Sequence, residues 1–150
     1  MIALDTNVLL AMARSGEQAD QIRLLLEKVG IDHRIIVSTG VFREFHAVAT
    51  RAPSFNGLGL SVEAARRVWA YLTSEMAIVH EDPTTHELLS RLIQTHGITG
   101  FRVHDAYHVA VALTHGATRF LTFDQEDFAP FAAEIQLIHP NDLAGTQDLA

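Results

Sequence analysis

Short apolar runs alternate along this chain with longer stretches in which apolar residues recur every three or four positions. Ile2 to Leu4 reads as a short buried strand that ends at Asp5. Residues 6–13 then read as a helix carrying Val8, Leu9, Leu10 and Met12, broken at Ser15-Gly16. A second helix carries Ile22, Leu25, Leu26 and Val29 and is expected to stop at Gly30. Ile35, Ile36 and Val37 form a second strand. Ser38 or Thr39 can cap the next helix, which sets Val41, Phe45 and Val48 on one face. Residues 52–60 contain Pro53, Gly57 and Gly59 and read as a loop. Val62, Ala65, Trp69 and Leu72 mark another helix, and Ala77 to Val79 a third strand. Thr84 and Glu87 have the spacing of a capping box for a helix bearing Leu88, Leu89, Leu92 and Ile93. A loop at 97–101 leads to a helix from about Asp105 to His115, closed by Gly116. Phe120 and Leu121 give a fourth strand, and Ile135 to Ile138 a fifth.

Strands separated by helices imply a parallel sheet with helices on both faces. In such sheets the ligand crevice lies beyond the carboxyl ends of the strands, at the point where strand order reverses. Composition agrees with one globular unit. The chain has 150 residues, 48% hydrophobic and 19% charged, which excludes a disordered chain. A single domain is expected over residues 1–142, with 143–150 a frayed tail. No apolar run approaches the ~20 residues of a membrane span, and MIALDTN lacks the basic region of a signal peptide. A cytoplasmic setting is therefore expected. The absence of cysteine excludes disulfides, thiolate metal sites and thiol nucleophiles.

The net charge is −7, whereas a protein that only grips nucleic acid is usually basic. An enzyme that reaches phosphates through bound cations need not be. Every basic residue except Lys28 is Arg, the side chain that forks onto phosphate, although coding bias gives the same preference.

The placement of the acids is more informative. Asp5 follows the first strand and Asp124 the fourth, so both project at the carboxyl edge of the sheet. Asp105 is expected to open a helix, where the dipole favours negative charge. Each of these is also an ordinary place for a turn or cap residue. Glu44 lies three residues after Val41 and four before Val48, on the apolar face of its helix. A carboxylate is rarely buried there unless it is paired or binds a metal. Four converging acids would repel one another, and a hard cation such as Mg²⁺ or Mn²⁺ relieves that repulsion. Such a site suits metal-assisted phosphodiester cleavage.

Four segments, ALDTNVLL at 3–10, STGVFREF at 38–45, HDAYHVAVALTHGATRFLTFDQEDF at 104–128 and IQLIHP at 135–140, resemble PIN domains, most of all the VapC-type ribonuclease toxins of toxin–antitoxin pairs. The resemblance implies a three-layer α/β/α sandwich with a five-stranded parallel sheet. It implies an endoribonuclease that uses Mg²⁺ or Mn²⁺ held by Asp5, Glu44, Asp105 and Asp124, leaving 5′-phosphate and 3′-hydroxyl ends. It further implies a homodimer and a small antitoxin partner. Thr6 and Asn7 match polar positions that follow the first acid in the family. Thr122 can orient a carboxylate through its hydroxyl. Asp127 competes with Asp124 for the fourth acidic place, but Asp124 lies nearer the strand, which leaves Asp127 a turn or cap residue.

His104 and His108 form an i,i+4 pair that can bind zinc, yet HDAYH lacks the general-base Glu of HExxH. Both are expected to flank Asp105 and meet solvent or substrate. Phe55, Leu58, Leu60 and Trp69 cannot all reach one core, and are expected to form an apolar groove for the antitoxin. Two other readings remain. A non-catalytic PIN-like module that binds RNA or protein would have lost an acid, and all four are present. A haloacid-dehalogenase-like phosphatase needs Asp two residues after its nucleophile, and position 7 is Asn.

Overall fold

The computed structural model describes residues 1–32 and 34–145. Five strands form one sheet: β1 (Ile2–Leu4), β2 (Ile35–Ser38), β3 (Ala77–Val79), β4 (Arg119–Leu121) and β5 (Gln136–Ile138). Their order is β3-β2-β1-β4-β5, and every pairing is parallel. The helices are α1 (Thr6–Ala13), α2 (Glu17–Asp32), α3 (Thr39–Ala49), α4 (Val62–Leu72), α5 (Pro83–His96), α6 (Arg102–Thr114) and α7 (Gln125–Phe128). Short 3-10 turns cover Pro53–Phe55, Ala129–Phe131 and Pro140–Gly145.

Alternation along the strands divides the core in two. Ile2, Leu4, Ile35, Val37, Leu121 and Ile138 face a cluster built from α1, α2, α3 and α4. Ala3, Ile36 and Phe120 face the opposite cluster, which α5, α6 and α7 supply. The central strands are thus apolar on both faces, as buried parallel strands must be. This is the expected three-layer sandwich. No described helix is long and apolar enough to cross a membrane.

The chain adds strands outward from β1 to β3, then returns to the other side of β1 for β4 and β5. The reversal falls between β1 and β4, whose register pairs Leu4 with Leu121. The residues that follow, Asp5 and Thr122, therefore emerge side by side. Asp5 N–H continues the ladder to the Leu121 carbonyl at 3.0 Å, and Thr122 N–H bonds the Ile138 carbonyl at 3.0 Å.

Several local expectations shift. α2 runs through Gly30 to Asp32, since one glycine costs a helix only about 1 kcal/mol relative to Ala. The cap of α5 is Asp82, not Thr84. Asp82 Oδ1 accepts from Thr85 N–H at 2.8 Å, and the Thr85 hydroxyl accepts from Asp82 N–H at 3.3 Å. Pro83 explains the register, because proline fits the first helical position and makes its predecessor the cap. Val62 starts α4 but is 75% exposed, and the buried stripe begins at Ala65. α6 begins at Arg102, three residues earlier than expected.

The proposed antitoxin groove at 52–60 does not form. Trp69 is buried, Leu58 and Leu60 pack on the core, and only Phe55 stands free at 71% exposure. This segment is folded back tightly, with Leu58 N–H on Val48 and Leu60 N–H on Ala49 carbonyls. Gly57 permits the return, since a Cβ there would sit 1.9 Å from the Arg51 carbonyl oxygen. The expected tail at 143–150 falls mostly outside the described residues, but Leu143 at its start is buried.

Candidate active site

The site lies where β1 and β4 end. Asp5 is only 6% exposed and precedes α1, with Oδ1 accepting from Thr6 N–H. Its Oδ2 accepts from the Thr122 hydroxyl at 2.7 Å. That hydroxyl oxygen in turn accepts from Asn7 Nδ2 at 3.1 Å and from Asp124 N–H at 3.0 Å. Asn7 also donates to Asp124 Oδ2 at 3.1 Å, and its Oδ1 accepts from Phe123 N–H at 3.3 Å. One short network thus ties Asp5 to Asp124 through Asn7 and Thr122.

Glu44 reaches the same place from α3. Ser38, the last residue of β2, caps that helix by accepting from Val41 N–H. Glu44 Oε2 accepts from the Thr6 hydroxyl at 2.7 Å, and Oε1 lies 3.0 Å from His108 Nε2. Glu44 is therefore neither fully buried nor a free surface acid; its side chain is 41% exposed.

Asp105 does not open its helix. It is the fourth residue of α6, still within the first turn, where the helix dipole favours a carboxylate. Asp124 stands at the start of α7 with its side chain turned to Asn7, so its carboxylate makes no cap hydrogen bond. Asp127, expected to be a mere turn or cap residue, lies 3.6 Å from Arg102 and adds its charge to the field at Asp105.

The electrostatics fit a crowded acidic site. Burial is the main force raising the Asp5 carboxyl. The Thr122 bond, the His108 charge and the Thr6 N–H oppose it, and Glu44 adds to the rise. Asp105 is pushed up to about 6 by burial first, then by the charges of Asp127 and Asp5, with His108 opposing and Glu44 adding. Burial also pushes Glu44 upward, but the bond and charge of His108, the Thr6 hydroxyl and the His104 charge outweigh it, so Glu44 ends below its ordinary value. Asp5, Glu44 and Asp105 are therefore within one another's field.

His108 corrects an expectation. It does not meet solvent: it is 4% exposed and bound to Glu44, while His104 is exposed. The signal was present in the sequence. Position 108 falls among Ala106, Val109 and Ala110 on a run with almost no polar residues, where a histidine must find a partner.

Comparisons with known proteins agree with this architecture. The PIN domain family matches residues 2–133. The chain belongs to the PIN domain family. VapBC2 from Rickettsia felis bound to a promoter DNA fragment is similar in structure, with a TM-score of 0.72 and 17% identity over 93% of this chain and 98% of that one. FitAcB from Neisseria gonorrhoeae gives 0.68 and 19% identity over 93% and 98%. DNA-bound VapBC from Salmonella typhimurium gives 0.67 and 17% identity over 93% and 97%. No curated protein sequence matches the chain. PIN domains are generally nucleases that use divalent metals.

Among the described residues, no three His, Asp or Glu side chains close into a cage around an ion in this conformation. The donor chemistry nevertheless fits a hard cation. The candidate ligands are oxygens, and the carboxyls of Asp5 and Asp105 carry the strain of burial and mutual repulsion that a cation relieves.

Proposed function

We propose that this PIN domain is a Mg²⁺- or Mn²⁺-dependent endoribonuclease and the toxin of a toxin–antitoxin pair. The observation that carries the reading is the grouping of Asp5, Glu44 and Asp105 in one field at the strand-order reversal. Asp5, Glu44, Asp105 and Asp124 would hold the metal. When bound, it supplies positive charge at the phosphodiester and lowers the pKa of the attacking water. Thr122 and Thr6 orient Asp5 and Glu44 by donating hydroxyl protons to them. Asn7 steers Asp124. Arg102 partly offsets Asp127 at the rim and offers a cation to an incoming phosphate.

Nothing favours a phosphoaspartyl route. Position 7 is an amide committed to Thr122 and Asp124, and Asp5 has both oxygens engaged. A purely binding role would leave the buried Asp5 carboxylate without purpose.

One of the similar solved structures is a toxin–antitoxin complex from Klebsiella pneumoniae. By extension this chain takes a small antitoxin, forms a homodimer and works in the cytoplasm, where its RNA is found. In place of the groove expected at 52–60, the antitoxin site would be a cleft of about 390 Å³ between α1, α2 and the end of α4, lined by Met12, Leu26, Leu72 and Met76 together with the charged Arg23, Glu27 and Glu75. It suits an apolar antitoxin segment.

The test is cleavage of RNA by the purified chain with Mg²⁺, with Mn²⁺ and with chelator, beside p-nitrophenyl phosphate as a control. Metal-dependent cleavage of RNA alone is expected. Cleavage that survives chelator, or activity confined to the phosphate monoester, would sink the reading.

A further inference from the structure

We propose that His108 is a positioning residue, which fixes the Glu44 carboxylate within the acidic site from a notch left open by Gly40. The inference rests on the reading of the acids as a divalent-metal centre.

His108 lies three residues after Asp105 on α6, so both share one helical face. Its ring is almost wholly buried, and its Nε2 is 3.0 Å from Glu44 Oε1. The other Glu44 oxygen takes the Thr6 hydroxyl. The carboxylate is thereby gripped from α1 and α6 at once, although it is carried by α3. Turning it away would break both bonds. A glutamate held at only one oxygen would keep much of its rotamer freedom.

The notch is built into α3. Gly40 stands one turn before Glu44, on the same face. A Cβ at position 40 would come within 2.4 Å of Tyr107 Cε1 and 3.1 Å of His108 Cε1. Any side chain there would have to displace the Tyr107 ring and press on the imidazole that holds Glu44. Tyr107 also meets α3 here, with Arg43 5.9 Å from its ring centre.

His108 Nδ1 has no hydrogen-bond partner among the described residues. The imidazole is thus buried for the sake of a single bond, the one to Glu44. A residue kept for packing alone would be better as leucine, which strands no polar atom. The cost of stranding Nδ1 points to a role for the opposite nitrogen.

The experiment compares the full-length wild type with His108→Leu, His108→Gln and Gly40→Ala. Mn²⁺ binding is measured by titration calorimetry, RNA cleavage is split into kcat and KM, and melts in chelator confirm that each variant is folded. His108→Leu is expected to weaken Mn²⁺ binding about 10–100-fold, the usual effect of removing a group that orients a ligand. Its kcat falls, while its KM for RNA stays within about twofold. His108→Gln can place an amide N–H where Nε2 stands and is expected to restore Mn²⁺ binding to within about threefold. Gly40→Ala should move in the direction of His108→Leu.

Equal Mn²⁺ affinity in His108→Leu and wild type would overturn the role of His108 alone. Equal weakening in the Leu and Gln forms would also overturn it, because the donor would then not matter. A wild-type chain that takes up no Mn²⁺ would overturn the metal-centre reading and this role with it. If His108→Leu does not fold, the Gln and Ala forms decide. Strong binding by Gln with weak binding by Ala supports the role, and wild-type binding by Ala overturns it.

Discussion

Thr122 donates its hydroxyl to Asp5 at 2.7 Å across 117 positions of sequence, and the same oxygen accepts from Asn7 and from the backbone of Asp124. Parallel pairing of β1 with β4 makes this possible, because the two residues step off adjacent strands in register. Thr122 is fully buried, so its hydroxyl has no water to replace these partners. Thr122→Val keeps the shape and removes the donor and the acceptor together. It should cost about 1–3 kcal/mol, the penalty for stranding buried polar groups. In a chain of this size that lowers Tm by about 2–4 °C per kcal/mol. Thr122→Ser should restore most of the stability and the RNA cleavage. Melts and single-turnover assays check this, and a Val form matching wild type in both would show that Asp5 needs no such support.

Asp5 holds two positions at once, as a carboxylate of the site and as the residue before α1, where Oδ1 meets Thr6 N–H. Asp5→Asn keeps an oxygen for that N–H and removes the charge. We expect cleavage to fall by about 10²-fold or more while the fold persists, since a proposed metal ligand is lost and a cap is retained. Circular dichroism, a thermal melt and the RNA assay read the two effects separately. Undiminished cleavage in Asp5→Asn would remove Asp5 from the site.

The sheet was legible because strand and helix periods differ and because Ile2 to Leu4, Ile35 to Val37 and Phe120-Leu121 are apolar throughout. Asp5 was legible for the same reason: a carboxylate directly after a buried strand must lie at the sheet edge. Glu44 was legible from its place on the Val41–Phe45 stripe. Residues whose role depends on contacts between helices were less legible. His108 acts through its approach to α3, which Gly40 allows, and no local pattern encodes that meeting. Asp127 joins the field at Asp105 only because α7 packs beside α6, a relation between two helices that spacing along the chain does not reveal. The aromatic groove failed for a converse reason. Trp69 and Leu60 look surplus to a core when counted along the chain, but Trp69 is buried against Phe42 and Phe45 of α3, and Leu60 packs half-buried on the core where residues 52–60 fold back onto α3.

Glu44 and Asp105 should pull the pH dependence of stability in opposite directions. Glu44 is held below its ordinary value, so its contribution is present above the unfolded pKa of 4.5 and is lost as pH falls through the lower folded pKa. Glu44→Gln should therefore lose stability relative to wild type at neutral pH, and the gap should narrow under acid conditions. Denaturant melts at pH 7 and pH 3 measure that gap. A gap that stays constant with pH would mean that the bonds from Thr6 and His108 do not favour the ionised form.

Asp105 carries the opposite sign. Its folded pKa of about 6 exceeds the ordinary value of 3.8, so the fold binds its proton more tightly than the unfolded chain does. Its contribution is most favourable below about pH 3.8. It worsens as pH rises through 3.8 toward 6 and stays unfavourable above. The group is only partly buried, and solvent screening reduces the penalty at pH 7 to about 1 kcal/mol. Asp105→Asn removes the charge and keeps the shape. In chelator at pH 7 it should melt higher than wild type by about 2–4 °C, and at pH 4 the two should nearly coincide. Metal reverses the order. Free Mg²⁺ or Mn²⁺ at about 100 times its Kd should add about 2.7 kcal/mol to wild type by binding the native state alone, and should add less to a variant that lacks a ligand. The experiment is a set of melts of both proteins at the two pH values, with and without metal. If Asp105→Asn is no more stable than wild type in chelator at pH 7, burial and the neighbouring acids do not raise the Asp105 carboxyl. If metal also stabilises both proteins equally, Asp105 is not one of its ligands.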